Sequence, residues 1–261
     1  MTAIAETVGI DLASAAKRTA VCRVRWLPGA VEVEFISERD DHHLVELIDQ
    51  CAAAGSLIGV DCPLGWPVLF AETLAAHQGR TSLPPLPAEP TARVLNPLLY
   101  RLTDEVTWQR TGSRPPLSVA ANLLGVVALR CAKILDSVER EHGLPVDRTG
   151  RSGVLAEVYP AATLRLWTLS GRTSYKRPDA RAARQSIVDL LEKQLGIALP
   201  ATARARCEAS HDELDALIAA FTARAVSLRR TYLPDSDAAC RLAEVEGWIH
   251  LPDCSPAKLL A

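Results

Sequence analysis

The chain has 261 residues and a formal net charge of −2, from 29 Lys and Arg against 31 Asp and Glu. Hydrophobic residues make up 48% and charged residues 23%, with a mean hydropathy of +0.08. That balance excludes a disordered chain, a collagen and a polybasic nucleic-acid coat, and the length can bury a sizeable core.

The cations are 24 Arg and only 5 Lys. Arg suits bidentate anion recognition, although coding bias in an Ala- and Arg-rich proteome is the simpler explanation. The seven cysteines are odd in number and contain no C-x-x-C. This argues against a zinc site or a disulfide framework and for reduced thiols in the cytoplasm. Met1 to Gly9 lacks the pattern of a secretory signal. The longest uncharged helical run, Ser118 to Leu129, is too short to span a bilayer.

In chain order, Val8 to Ala13 reads as a buried strand carrying Asp11. Ala20 to Trp26 and Val31 to Ile36 alternate in polarity around Leu27-Pro28-Gly29-Ala30, which predicts a hairpin. A turn centred on Pro28-Gly29 sets Arg25 opposite Glu32 and Arg23 opposite Glu34. Pro-Gly is not a favoured two-residue turn, so a longer loop is expected. His42 to Ala54 predicts a helix with Leu44, Leu47, Ile48 and Cys51 on one face, stopped by Gly55. Leu57 to Asp61 is the next buried strand, a crossover onto the same sheet.

Gly79 to Pro97 holds Pro84, Pro85, Pro87, Pro90 and Pro97 and reads as an inserted loop or lid. Ser118 to His142 predicts a long helix ended by Gly143. Val154 to Val158 is a strand carrying Glu157. Ala180 to Leu195 predicts a helix with Ile187, Leu190, Leu191 and Leu195 inward. Ser210-His211-Asp212-Glu213 fits a capping box opening a last long helix. Its predicted inner face is Leu214, Leu217, Ile218, Phe221 and Ala225. The expected architecture is α/β: a mixed sheet flanked by helices in a single domain over 1–261, with an inserted loop and helical region at about 66–150.

Three of these apolar strands carry an acid: Asp11, Asp61 and Glu157. The last helix adds Asp212 and Asp215, three apart and so on one face. An unpaired buried carboxylate costs several kcal/mol or more. Each acid has a plain structural explanation. Asp11 can cap a turn with Ser14, and Asp61 can start an Asx turn before Pro63. Glu157 can pair with a buried Arg, and Asp212 suits the first helical turn. Asp215, past that turn and between Leu214 and Leu217, is the hardest to dismiss. Together the acids can converge at one sheet edge, where they repel each other unless a cation neutralises them. Magnesium favours oxygen ligands, and such ions assist phosphodiester hydrolysis.

The ordered set Gly9-Ile10-Asp11-Leu12-Ala13, Gly59-Val60-Asp61-Cys62-Pro63-Leu64-Gly65, Arg101-Leu102-Thr103-Asp104, Glu157-Val158-Tyr159-Pro160-Ala161-Ala162, Tyr175-Lys176, His211 to Ala216 and Glu246-Gly247-Trp248-Ile249 resembles the domain-of-unknown-function family 429. That family is described as predicted nucleases of the RNase H-like fold. The resemblance runs from Val8 to Pro252. It implies a five-stranded mixed sheet whose first three strands are antiparallel, with flanking helices and a helical insertion. It places Asp11 on the central first strand and Asp61 beside it on the fourth. Asp212 or Asp215 would come from the last helix, with Glu157 a further ligand or substrate contact.

Three further residues enter as substrate contacts. Arg101 and Asp104 can pair with each other, and Lys176 is the best single candidate for a substrate phosphate. Arg165 to Arg206 holds nine basic residues against three acids and could track a phosphate backbone. For Arg181, Arg184 and Lys193 a solvated helix face is the simpler reading. His211 beside Asp212 could relay a proton. No Walker A, G-x-G-x-x-G or G-x-S-x-G pattern occurs where it would carry chemistry.

The leading expectation is a Mg²⁺- or Mn²⁺-dependent nuclease or phosphodiester hydrolase. Asp11, Asp61, Asp212 and Asp215 are the metal ligands, and Glu157 joins them as a catalytic candidate. Its partner would be nucleic acid or another phosphodiester, with no membrane. The alternative is a non-catalytic binding or regulatory module using the same cleft. An ATP-handling phosphotransferase ranks last, because that class needs two related domains.

Overall fold

Alternating β-branched residues open the chain as three strands, β1 (Glu6–Asp11), β2 (Ala20–Leu27) and β3 (Ala30–Ile36). The computed structural model describes residues 4–86, 95–112, 114–170 and 174–260. Pro87 and Pro90 of the expected lid, the first three residues and Arg172 lie outside them.

β2 and β3 pair with Arg25 opposite Glu32 and Arg23 opposite Glu34, joined by ion pairs of 2.6 and 3.2 Å. Of the two turns considered, the tight one centred on Pro28-Gly29 forms, not the longer loop. Leu27 pairs with Ala30, leaving only Pro28 and Gly29, and Gly29 absorbs the left-handed φ of +70°.

Helix α1 (Asp41–Ala54) is capped by the Asp40 carboxylate, which accepts the His43 N–H, and stops at Gly55. Strand β4 (Leu57–Asp61) then returns parallel to β1. Helices α2 (Val68–Gly79), α3 (Leu102–Thr111) and α4 (Leu124–His142) are inserted before β5 (Leu155–Val158). The chain continues through α5 (Pro160–Leu166), α6 (Arg181–Leu195), α7 (Ala201–Ala209), α8 (His211–Ser227), α9 (Asp237–Glu246) and β6 (Ile249–His250).

Three expectations need correction. Among the described residues the mixed sheet has six strands, not five, in the order β3-β2-β1-β4-β5-β6. β6 is two residues long, too short for alternation to reveal. α4 starts at Leu124 rather than Ser118. The Ser118 hydroxyl accepts from Ala120 N and Ala121 N, and Asn122 Oδ1 accepts from Ser118 N, which holds a turn before the helix. In α6, Leu190 is exposed and Val188 takes the inner position.

The sheet lies between two helical layers. Val8, Ile10, Ile58 and Val60 face α1 and α4. Thr7, Gly9 and Gly59 face α8, which is buried on all sides from Leu214 to Ala225. A Cβ on Gly9 would overlap the Ala216 carbonyl and the Ala220 nitrogen, and one on Gly59 would overlap the Ala219 carbonyl. Glycines on the strands and alanines on the helix therefore bring α8 unusually close to the centre of the sheet. No helix among the described residues is long and apolar enough to cross a membrane.

Candidate functional site

The parallel register of β1 and β4 pairs Asp11 directly with Asp61 at the carboxyl ends of the two central strands. Ligands of open α/β sheets bind at such ends. Alternation puts both acids on the α8 face, in phase with Gly9 and Gly59. Among the described residues, neither carboxylate accepts a hydrogen bond, so the Ser14 cap and the Asx turn do not form. Burial, then the Asp61 and Asp215 carboxylates, pushes the Asp11 carboxyl well above its ordinary range, against the pull of Lys176. Burial likewise lifts Asp61 to about 7, with Lys176 opposing and Asp215 and Glu157 adding to the rise. Two carboxyls that bind protons this tightly are suited to bind a cation or to exchange protons near neutral pH.

The third acid on this face is Asp215, fully buried on α8. Its Oδ1 accepts the Tyr175 hydroxyl at 2.7 Å, and its Oδ2 pairs with Lys176 Nζ at 2.8 Å. Burial works against the Lys176 charge, but Asp215, Asp61 and Asp11 hold the ammonium well above its ordinary range. The acid cluster thus contains a cation of its own. Lys176 was expected to meet substrate phosphate, and here it meets carboxylates. Asp212, in the first turn of α8, is partly exposed and lies 2.9 Å from His211 Nδ1. It is near enough to Asp11 to add to that carboxyl's rise.

Glu157 stands apart from these acids. It is in register with Val60, not Asp61, so its side chain leaves the opposite face of the sheet. There it meets Arg101 through two hydrogen bonds of 2.7 and 2.8 Å, the buried-Arg pairing anticipated for it. Arg101 also donates to Asp104 through Nε and Nη2, and to the Glu246 carbonyl. All five N–H donors of the guanidinium are therefore engaged inside the protein. Burial opposes the Arg101 charge, but Asp104 and Glu157 raise its proton affinity above the ordinary value. Burial outweighs Arg101 at Glu157, whose carboxyl stays raised.

This cluster holds the segment that follows Asp61. Glu157 Oε2 accepts the Leu64 N–H at 2.9 Å. Glu246, which sequence reasoning quoted only as part of a motif, accepts from Val68 N and Leu102 N at the starts of α2 and α3. Gly247 has φ +86°, and a Cβ there would press on Glu157 Oε2 at 2.8 Å.

The two clusters border one pocket of about 590 Å³, lined by Asp11, Asp61, Glu157, Arg101, Asp104 and Lys176. Asp212 and Asp215 do not line it. Sequence reasoning missed its apolar wall of Pro116, Leu117 and Leu124. Tyr159, quoted only within a motif, and Arg165, the first cation of the basic segment, line it too.

From Arg177 onward, most described cations of the basic segment are engaged within the protein. Arg177 pairs with Asp179, Arg181 with Glu208, Arg204 with Asp189, Glu192 and Glu208, and Arg206 with Glu213. Arg184, expected on a solvated face, is buried and donates to the carbonyls of Tyr175, Arg177, Glu208 and Ala209.

Mg²⁺ is typically held by one or two carboxylates together with waters. Asp11 and Asp61, in register and without hydrogen-bond donors, fit that donor set. Among the described residues no group of three or more His, Cys, Asp or Glu is arranged to hold a metal. An all-protein cage is therefore not what the side chains provide.

Residues 9–239 match the family model described as "Protein of unknown function (DUF429)". No curated protein and no solved structure matches the chain.

Proposed function

The chain belongs to the DUF429 family, and on that premise we propose that it is a divalent-metal-dependent nuclease or phosphodiester hydrolase on an RNase H-like scaffold. The observation that carries the reading is the register pairing of Asp11 with Asp61 beside a pocket of about 590 Å³. The strand order supports the scaffold: an antiparallel β1-β2-β3 unit with β4 and β5 added parallel to β1. Asp11 and Asp61 would hold Mg²⁺ or Mn²⁺, with waters filling the rest of its shell; Asp212 and Asp215 of α8, first expected as further ligands, stand outside the pocket. The bound ion would activate water and neutralise charge on the phosphate.

The protein's own residues prepare that site. Tyr175 and Lys176 fix Asp215 behind the paired acids. Glu157, Arg101 and Asp104 hold the segment after Asp61 in place. Cytoplasmic placement belongs to this proposal and is in keeping with seven free thiols. The test is hydrolysis of a panel of single-stranded, duplex and hybrid nucleic acids with Mn²⁺. Activity should appear in wild type, vanish with chelator, and be lost in Asp11→Asn and Asp61→Asn. Activity that survives in both variants overturns the proposal.

One observation favours a second reading. Because Lys176 already neutralises part of the acid cluster, the cleft could serve as a metal-free binding module. That reading requires ligand binding that chelation leaves unchanged.

A further inference from the structure

We infer that Arg165 is the residue that grips a phosphate of the substrate in this pocket. The inference rests on the phosphodiester reading and supplies the anion contact that reading lacks. Among the described residues, three cations line the pocket: Arg101, Lys176 and Arg165. Arg101 has every donor engaged with protein, as described above. Lys176 is also exposed, but its ammonium is already paired with the Asp215 carboxylate at 2.8 Å.

Arg165 differs from both. It lies in the last turn of α5 and lines the same pocket as Asp11 and Asp61. It is exposed, and among the described residues no carboxylate pairs with it. Its Nε donates to the Thr111 carbonyl at the end of α3 at 2.9 Å. That bond orients the guanidinium plane and leaves the Nη1–Nη2 edge without a partner among the described residues. An arginine anchored on one side and open on the other is a preorganised bidentate receptor for an oxyanion.

The surroundings suit a nucleotide, which brings more than charge to the site. A nucleotide unit also offers a sugar and base for the wall of Pro116, Leu117 and Leu124, where Leu117 is 60% exposed. The negative charge of that unit would lie between Arg165 and the metal proposed at Asp11 and Asp61.

The test uses the full chain carrying Asp61→Asn, which lowers the acidity of the pocket and removes the proposed turnover. Arg165→Gln and Arg165→Lys are added to it. Binding of a short fluorescently labelled single-stranded oligonucleotide is followed by anisotropy in EDTA across a salt series. Arg165→Gln should weaken binding about tenfold and reduce the log–log salt slope by about 0.7, the value for one lost phosphate contact. Arg165→Lys should recover the slope but not the full affinity, because lysine is a point charge. Matching thermal midpoints establish that the fold is intact.

Unchanged affinity and slope in Arg165→Gln overturn the inference. So does a parent chain that binds neither the oligonucleotide nor inorganic phosphate. Competition by succinate as strong as that by inorganic phosphate overturns the choice of phosphate. Since nothing is cleaved in this experiment, its failure is distinct from failure of the hydrolase reading. A chain that binds through Arg165 and never cleaves loses the proposed activity and keeps the contact.

Discussion

Asp61→Asn should make the protein more stable at neutral pH. Asp61 is raised from 3.8 to about 7 in the fold, chiefly by burial. Below pH 3.8 the carboxyl is protonated in folded and unfolded chains alike, and it costs nothing. As pH rises from 3.8 to about 7, the unfolded chain ionises while the folded chain keeps its proton, so stability falls over that window. Above pH 7 the loss is constant. A shift of this size corresponds to about 4 kcal/mol, or on the order of 2–4 kcal/mol once water in the pocket screens the charge. Asn keeps the shape of the side chain and carries no charge.

The variant should therefore match wild type near pH 4 and exceed it at pH 8, by roughly 5–15 °C in Tm for a chain of this size. Thermal denaturation followed by circular dichroism at both pH values measures this. Added Mg²⁺ or Mn²⁺ should raise the wild-type midpoint by mass action and move the variant much less. An Asp61→Asn chain no more stable than wild type at pH 8 would refute the account of a strained, cation-seeking acid pair.

Three further outcomes follow from the packing and the buried network. Gly9→Ala would drive a methyl group into the Ala216 carbonyl and the Ala220 nitrogen; we expect a loss above about 3 kcal/mol, read as little or no folded protein on gel filtration. Arg101→Met strands Glu157 and Asp104 without their buried cation and should lose about 3–5 kcal/mol in urea denaturation. That loss should shrink toward acid pH as Glu157, whose carboxyl burial already raises, takes up a proton. Tyr175→Phe removes the hydroxyl that donates to Asp215, and should lower stability by about 1–3 kcal/mol in the same assay.

Much of the scaffold was legible because its signals are local. The hairpin register followed from two charge pairs, the α1 stop from Gly55, and the α8 start from Ser210. The capping box formed only in half: Ser210 accepts the Glu213 N–H, but the Glu213 carboxylate turns to Arg206. A charged neighbour seven residues back outweighed a local backbone contact. β6 and the turn before α4 escaped notice for a similar reason, being two residues long in one case and set by side-chain hydrogen bonds in the other.

By itself the sequence determined which carboxylates sit on apolar strands, and hence that Asp11, Asp61 and Glu157 needed an explanation. Tertiary structure alone decided that they need different ones. A strand reverses the direction of its side chains at every residue, so a one-residue offset in register sends Asp61 and Glu157 to opposite faces of the sheet. On one face the acid meets another acid across the register, with Asp215 and Lys176 close by. On the other it meets Arg101, 56 residues away in the chain. Register and long-range pairing arise from the packing of whole elements, and no window of residues along the chain contains them.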